Sequence, residues 1–149
     1  MKQTNEYTIS QLMVDDHKHI MEHFTTFFML VNKDKNESLR VLNNLQWELE
    51  RHLLIEEKEV FLTYPVQSSN DQKMVDRLFA DHHEILEKID SLQKEIKRDE
   101  VVDCTSLKAL WLRHESFERD VFYPAMDIVV SDVKKKEIYQ KVNTLIEER

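Results

Sequence analysis

Arg51-His52-Leu53-Leu54-Ile55-Glu56 returns as Arg113-His114-Glu115-Ser116-Phe117-Glu118, an offset of 62 (113 against 51), and a Val-Phe pair follows each copy, Val60-Phe61 and Val121-Phe122. Residues four apart in a helix project from one face. Each copy therefore aims one imidazole and one carboxylate at the same spot. A second stretch also repeats: Asp16-His17-Lys18-His19-Ile20 resembles Asp81-His82-His83-Glu84-Ile85, an offset of 65 (81 against 16). Together the repeats predict two helical hairpins related by a pseudo-two-fold axis, with mixed nitrogen and oxygen donors turned inward from four helices.

The remaining sequence supports that reading. The 149 residues suit one domain spanning 1–149, with no Gly, two Pro, 34% charged and 41% apolar residues. Sheets turn on glycine, and its absence favours an all-α fold. After a polar lead-in over 1–7, helix one is expected from about Ile9 to Asn32, capped by Thr8 or Ser10. Its apolar stripe is Met13, Ile20, Met21, Phe24, Phe27, Phe28 and Val31, with His17 among them. Helix two is expected from about Glu37 to Leu62, carrying Leu42, Leu45, Leu49, His52 and Glu56, and is ended by Pro65 and the polar 67–70 stretch. Helix three should run from about Asp71 to Arg98 with Val75, Leu78, His82, Ile85, Ile89, Leu92 and Ile96 inward. Helix four, capped near Asp103 or Thr105, carries Leu107, Leu110, Trp111, His114, Phe117, Glu118 and Val121 to about Ile128. Ser131 caps a short fifth helix to Glu147, with Val133, Ile138, Val142 and Leu145 inward. Short connections make this an up-down-up-down four-helix bundle with a short C-terminal fifth helix.

Depth tests the idea. His17 lies about fifteen residues from the end of helix one, and His52 about fifteen from the start of helix two, roughly 22 Å each at the helical rise. The two imidazoles should meet at one level. Glu56 and His82 are each about ten residues from the Pro65 turn, so that leg closes too. The last leg is looser, with a mismatch of roughly 7 Å between His82 and His114.

Several function classes drop out. A net charge of −8 opposes a nucleic-acid surface, and the Lys134–Lys136 run reads as a solvated face. The one cysteine, Cys104, allows no internal disulfide and suits a reducing compartment. No apolar stretch reaches membrane-spanning length and no leader pattern opens the chain, so a cytoplasmic protein is expected. Ser/His/Asp triads, glycine-rich phosphate loops and Cys-x-x-Cys pairs are absent from the sequence.

Buried imidazoles and carboxylates need partners, because leaving one unpaired costs several kcal/mol. Four histidines and two glutamates on the apolar stripes therefore point to a shared metal. His82 falls on the helix-three stripe and keeps the Asp-His context of His17; His83, beside Glu87, is the alternative ligand. His19 and His23 lie off the stripe and read as solvated. Glu57, Glu59, Glu115 and Asp120 read as surface carboxylates within reach of an outer role. Phe28, Phe61, Trp47, Trp111, Phe117 and Phe122 read as core, and Tyr64 and Tyr123 are candidate hydrogen-bond donors near the site that nothing in the sequence places there.

The stretch His114-Glu-Ser-Phe-Glu118-Arg-Asp-Val-Phe122-Tyr-Pro124 resembles the hemerythrin-like (HHE cation-binding) family, whose His-x-x-x-Glu precedes an aromatic-Pro end. The resemblance covers Asp16 to about Met126, and a last short helix is usual in the group. It implies a non-haem di-iron centre ligated by His17, His52, Glu56, His82, His114 and Glu118, with Glu56 and Glu118 bridging and Mn or Zn as possible substitutes. Oxygen-carrying hemerythrins have a further histidine where this chain has Leu86, and a final aspartate where it has Arg119. Four histidines and two glutamates are instead similar to iron-centre-repair di-iron proteins and to the iron-sensing domain of an F-box protein. The resemblance implies reaction with oxygen, peroxide or nitric oxide in stress defence, repair or sensing. The alternative is reversible oxygen binding or iron and oxygen sensing without turnover.

Overall fold

The computed structural model describes residues 8–147, so the lead-in expected over 1–7 lies outside the described residues. The fold is an all-α bundle: α1 Ile9–Leu30, α2 Lys35–Ile55, α3 Ser69–Lys97, α4 Thr105–Phe117, α5 Tyr123–Val129 and α6 Asp132–Glu147. A neighbour chain of α1 on α2, α2 on α3, α3 on α4 and α5 back on α1 closes the bundle. Thr8 caps α1 by accepting from Gln11 N, and Asp34 and Ser68 cap α2 and α3 in the same way.

Helices two and four are not uniformly α. Each opens into one π turn immediately at its glutamate, Glu56–Val60 and Glu118–Phe122. A π turn takes an extra residue, which rotates the succeeding side chains by roughly 100° against a continuous α register. This explains a correction to the expected stripe. Val121 is exposed, whereas Phe122 and Tyr123 are buried in its place. Trp47 also departs from its expected core position: it is exposed, with the Arg51 guanidinium 4.8 Å above its ring. Val133, expected to face inward on α6, is exposed as well, although Ile138 and Val142 are buried.

The loose leg between helices three and four is taken up by the 98–104 connection. Asp99 adopts a positive φ of 62°, and the chain then passes the end of α1, where Asn32 exchanges two hydrogen bonds with the Val102 backbone at 2.9 and 3.0 Å. At the opposite end, the Asp127 carboxylate on α5 accepts from the Ile9 and Ser10 backbone N–H groups at the start of α1. Lys135 of α6 donates to the Asp127 carbonyl at 2.6 Å, and Tyr139 donates to the Thr8 carbonyl at 2.7 Å. These bonds strap α6 across that end.

The apolar interior comes in two parts. One contains Ile20, Phe24, Leu45, Leu49, Ile85, Ile89 and Trp111; the other contains Met13, Ile55, Val60, Phe61, Leu78, Phe122 and Met126. On every long helix a histidine falls between the two: His17 between Met13 and Ile20, His52 between Leu49 and Ile55, His82 between Leu78 and Ile85, and His114 between Trp111 and Phe122. The polar layer between two oily ones is where the site lies.

Candidate metal centre

The six expected residues come together at one level. Their donor atoms form two overlapping groups, His17, His52, Glu56 and Glu118, and Glu56, His82, His114 and Glu118, each with all atoms within 4.8 Å of one another. Both glutamates belong to both groups, as carboxylates bridging two ions would. His83, the alternative, is exposed and pairs with Glu87 at 3.3 Å on the outer face of α3.

Each imidazole presents Nε2 to the centre. His17 Nε2 is 3.1 Å from Glu118 Oε1, His52 Nε2 3.3 Å from Glu56 Oε1, His82 Nε2 3.2 Å from Glu56 Oε1, and His114 Nε2 3.3 Å from Glu118 Oε2. The Nε2 atoms of His52, His82 and His114, with Glu56 Oε1 and both Glu118 oxygens, are buried without a hydrogen-bond partner. Buried polar atoms of a folded chain are nearly always satisfied. A cluster of orphans converging on one space is what a metal-binding set looks like without its cation, so the residues fit the group.

The outward nitrogens are held by a second set of carboxylates. Asp16 Oδ2 lies 2.5 Å from His52 Nδ1, and Asp81 Oδ2 lies 3.0 Å from His114 Nδ1. Glu57 Oε2 is 2.9 Å from His82 Nδ1, and Glu115 Oε2 is 3.7 Å from His17 Nδ1. A carboxylate on Nδ1 keeps the proton there and leaves Nε2 free as a ligand. The repeated Asp-His dipeptides were visible in the sequence, yet each aspartate serves the histidine of the neighbouring helix, which no local pattern reveals. Glu57 and Glu115, expected to be solvated, are also drawn onto imidazoles.

The electrostatics follow from this crowding. Burial would lower the His52 pKa, but Glu56 and Asp16 outweigh it and hold the group up to about 10. His114 is likewise held up to about 10, burial being overcome by Glu118 and Asp81. His17 and His82 are raised against the same opposition, by Glu115 with Glu118 and by Glu56 with Glu57. Burial would raise Glu56, but His52 and His82 keep it well below the usual carboxylate range. Cations of either kind, protons or metals, are thus strongly favoured here.

Tyr123, a candidate donor that the sequence could not place, is at the site. Its hydroxyl donates to Glu56 Oε2 and lies 3.1 Å from His17 Nε2. Burial, Glu118 and Glu56 together push its phenol well above its ordinary value. The π turn that rotates it inward leaves no mark in the apolar periodicity. Of the remaining candidates, Tyr64 packs on Phe122 instead, 5.5 Å between ring centroids. His19 is exposed, while His23 is half-buried beside it.

Such a centre defines a class: helical bundles that hold metal ions in a buried His/Glu layer. The chain matches the family model described as Hemerythrin HHE cation binding domain over residues 8–126, and it belongs to that family. Neither a curated protein nor a solved structure gives a match. The family and the buried clusters together imply a metal-binding domain. Among the described residues no helix is long and apolar enough to cross a membrane.

Proposed function

We propose that this chain binds two non-haem iron ions, one held by His17, His52, Glu56 and Glu118 and the other by Glu56, His82, His114 and Glu118, and reacts with oxygen, peroxide or nitric oxide. Its service would be stress defence, iron-centre repair or sensing. The observation that carries this reading is the inward set of His52, His82 and His114 Nε2, Glu56 Oε1 and both Glu118 oxygens, buried and without a hydrogen-bond partner. Four imidazoles and two carboxylates suit iron, with manganese or zinc as substitutes. Iron, when bound, supplies electrons and coordination positions for a small oxidant.

The chain's own residues do the rest. Asp16, Glu57, Asp81 and Glu115 orient the imidazoles. Glu56 and Glu118 join the two groups and balance charge. Trp111 lies against His17 and Phe61 against His82, with ring centroids 5.7 and 5.1 Å apart, and they limit water at the donors. A single domain over 1–149 and a cytoplasmic setting, read from the lone Cys104, belong to the same proposal.

A sensing module without turnover is the second reading. It is favoured by the position of the donors between the two halves of the core, which ties folding to metal occupancy. Metal analysis and the absorption spectrum of the oxidised protein test the centre. Peroxide or nitric oxide turnover supports the first reading, and a reversible oxygen spectrum without turnover supports the second. Iron content near zero after anaerobic purification rejects both.

A further inference from the structure

His19 and His23 are the two α1 histidines that the buried centre leaves unused. They stand four residues apart, so their rings leave the helix from one face, with centroids 4.7 Å apart. That face lies about 100° round the helix from Ile20 and Phe24, which puts both rings at the rim of the core and not inside it. His19 is 47% exposed and His23 is half-buried.

Glu48 stands across the seam on α2, only 13% exposed, with its Oε2 4.0 Å from His19 Nε2. Behind the same ring, Glu22 Oε1 is 4.0 Å from Nδ1. A carboxylate on that side favours the proton on Nδ1 and leaves Nε2, toward Glu48, as the ligating nitrogen. His23 Nδ1 is buried and has no hydrogen-bond partner. A buried polar atom left unsatisfied is uncommon in a folded chain and asks for a ligand.

We propose that His19, His23 and Glu48 bind a divalent ion of the zinc class at the α1–α2 seam, with water in the remaining positions. Zinc sits about 2.0–2.2 Å from such donors, so neighbouring donor atoms of a tetrahedral set are roughly 3.3–3.6 Å apart. His19 Nε2 and Glu48 Oε2 reach that separation by a small side-chain rotation, and the His23 ring turns about its outer bond to join them. The helix itself holds the two imidazoles side by side, so little ordering remains to oppose binding. Imidazoles disfavour magnesium and calcium, which take oxygen donors, and zinc, nickel and copper bind such a set more tightly than ferrous iron does. None of the three residues belongs to either buried donor group, so the site stands apart from the di-metal reading.

The test is a calorimetric titration of zinc chloride into the full chain with its buried centre preloaded with iron, both metals being counted afterwards. Wild type is expected to take up one zinc beyond its iron. His19→Ala, His23→Ala and Glu48→Gln should each bind it at least about tenfold more weakly, the loss typical of even an outer partner of a metal ligand, with iron content unchanged. His83→Ala, which removes the exposed imidazole paired with Glu87 on α3, is the control and should keep the zinc. Zinc uptake that only replaces lost iron overturns the proposal and leaves the di-metal reading standing. Equal zinc affinity in wild type, His19→Ala and His23→Ala does the same, as does equal loss in His23→Ala and His83→Ala. If the wild-type centre takes up no iron, the di-metal reading fails alone. This proposal then stands or falls on whether the His19 and His23 variants hold one zinc fewer than wild type.

Discussion

Replacing Asp16 by Asn removes one negative charge from behind His52 while keeping the side chain's shape. The carboxylate oxygen lies 2.5 Å from His52 Nδ1 and is 9% exposed, so solvent screens it little. Losing an outer partner of a ligating histidine typically costs 10–100-fold in metal affinity, about 1.4–2.7 kcal/mol. Asp16 belongs near the top of that range. Asp81 is the internal comparison: its contact with His114 is longer, 3.0 Å, it is 16% exposed, and Arg77 stands 3.9 Å away and already offsets part of its charge. Asp81→Asn should therefore cost only about tenfold. Asp15, adjacent in sequence but exposed, is the control, and Asp15→Asn should leave affinity unchanged. Anaerobic competition against a chromophoric chelator measures each affinity, and circular dichroism confirms the fold. Wild-type affinity in a folded Asp16→Asn, or equal losses in the Asp15 and Asp16 variants, would refute the idea that these carboxylates tune the donors.

His52→Ala should lower iron content sharply, whereas His23→Ala and His83→Ala should retain it; metal analysis showing equal loss in all three would reject the ligand assignment. Saturating metal at about 100 times Kd should stabilise the fold by roughly 2.7 kcal/mol for each ion bound and raise Tm by about 5–10 °C per ion, reversed by a chelator, as scanning calorimetry can check. The chelated protein should be most stable between about pH 4.5 and 6.5. His52 and His114 are raised from 6.5 to about 10, so their contribution is complete below 6.5 and is lost as pH climbs toward 10. Glu56 is lowered from 4.5, so its contribution is present above 4.5 and is lost as pH falls. Urea melts across pH would show this, and a chelated protein that gains stability from pH 7 to 9 contradicts it. Metal affinity should instead rise with pH, because bound protons must leave the imidazoles first.

Much of the site was legible because its chemistry is local. His52 with Glu56 and His114 with Glu118 are fixed to one helix face by the four-residue spacing, and burial on apolar stripes demanded partners for them. His82 was separable from His83 because a 100° step round a helix moves a side chain from core to solvent, and their exposures differ accordingly. Trp47 was misjudged for a related reason: an aromatic side chain on an amphipathic helix can cover its face with a neighbouring arginine instead of entering the core.

The linear order of residues determined the all-α class, the four rods, and the six donors that meet at one height, since helical rise and periodicity convert spacing directly into position. Only the packed bundle decided which outer carboxylate meets which imidazole, because Asp16 reaches His52 and Asp81 reaches His114 across helix boundaries. It also decided that Tyr123, and not Val121, turns inward. That choice depends on a π turn at Glu118–Phe122, whose extra residue shifts the register of every side chain after it, and a register shift of that kind leaves no trace in the spacing of apolar residues.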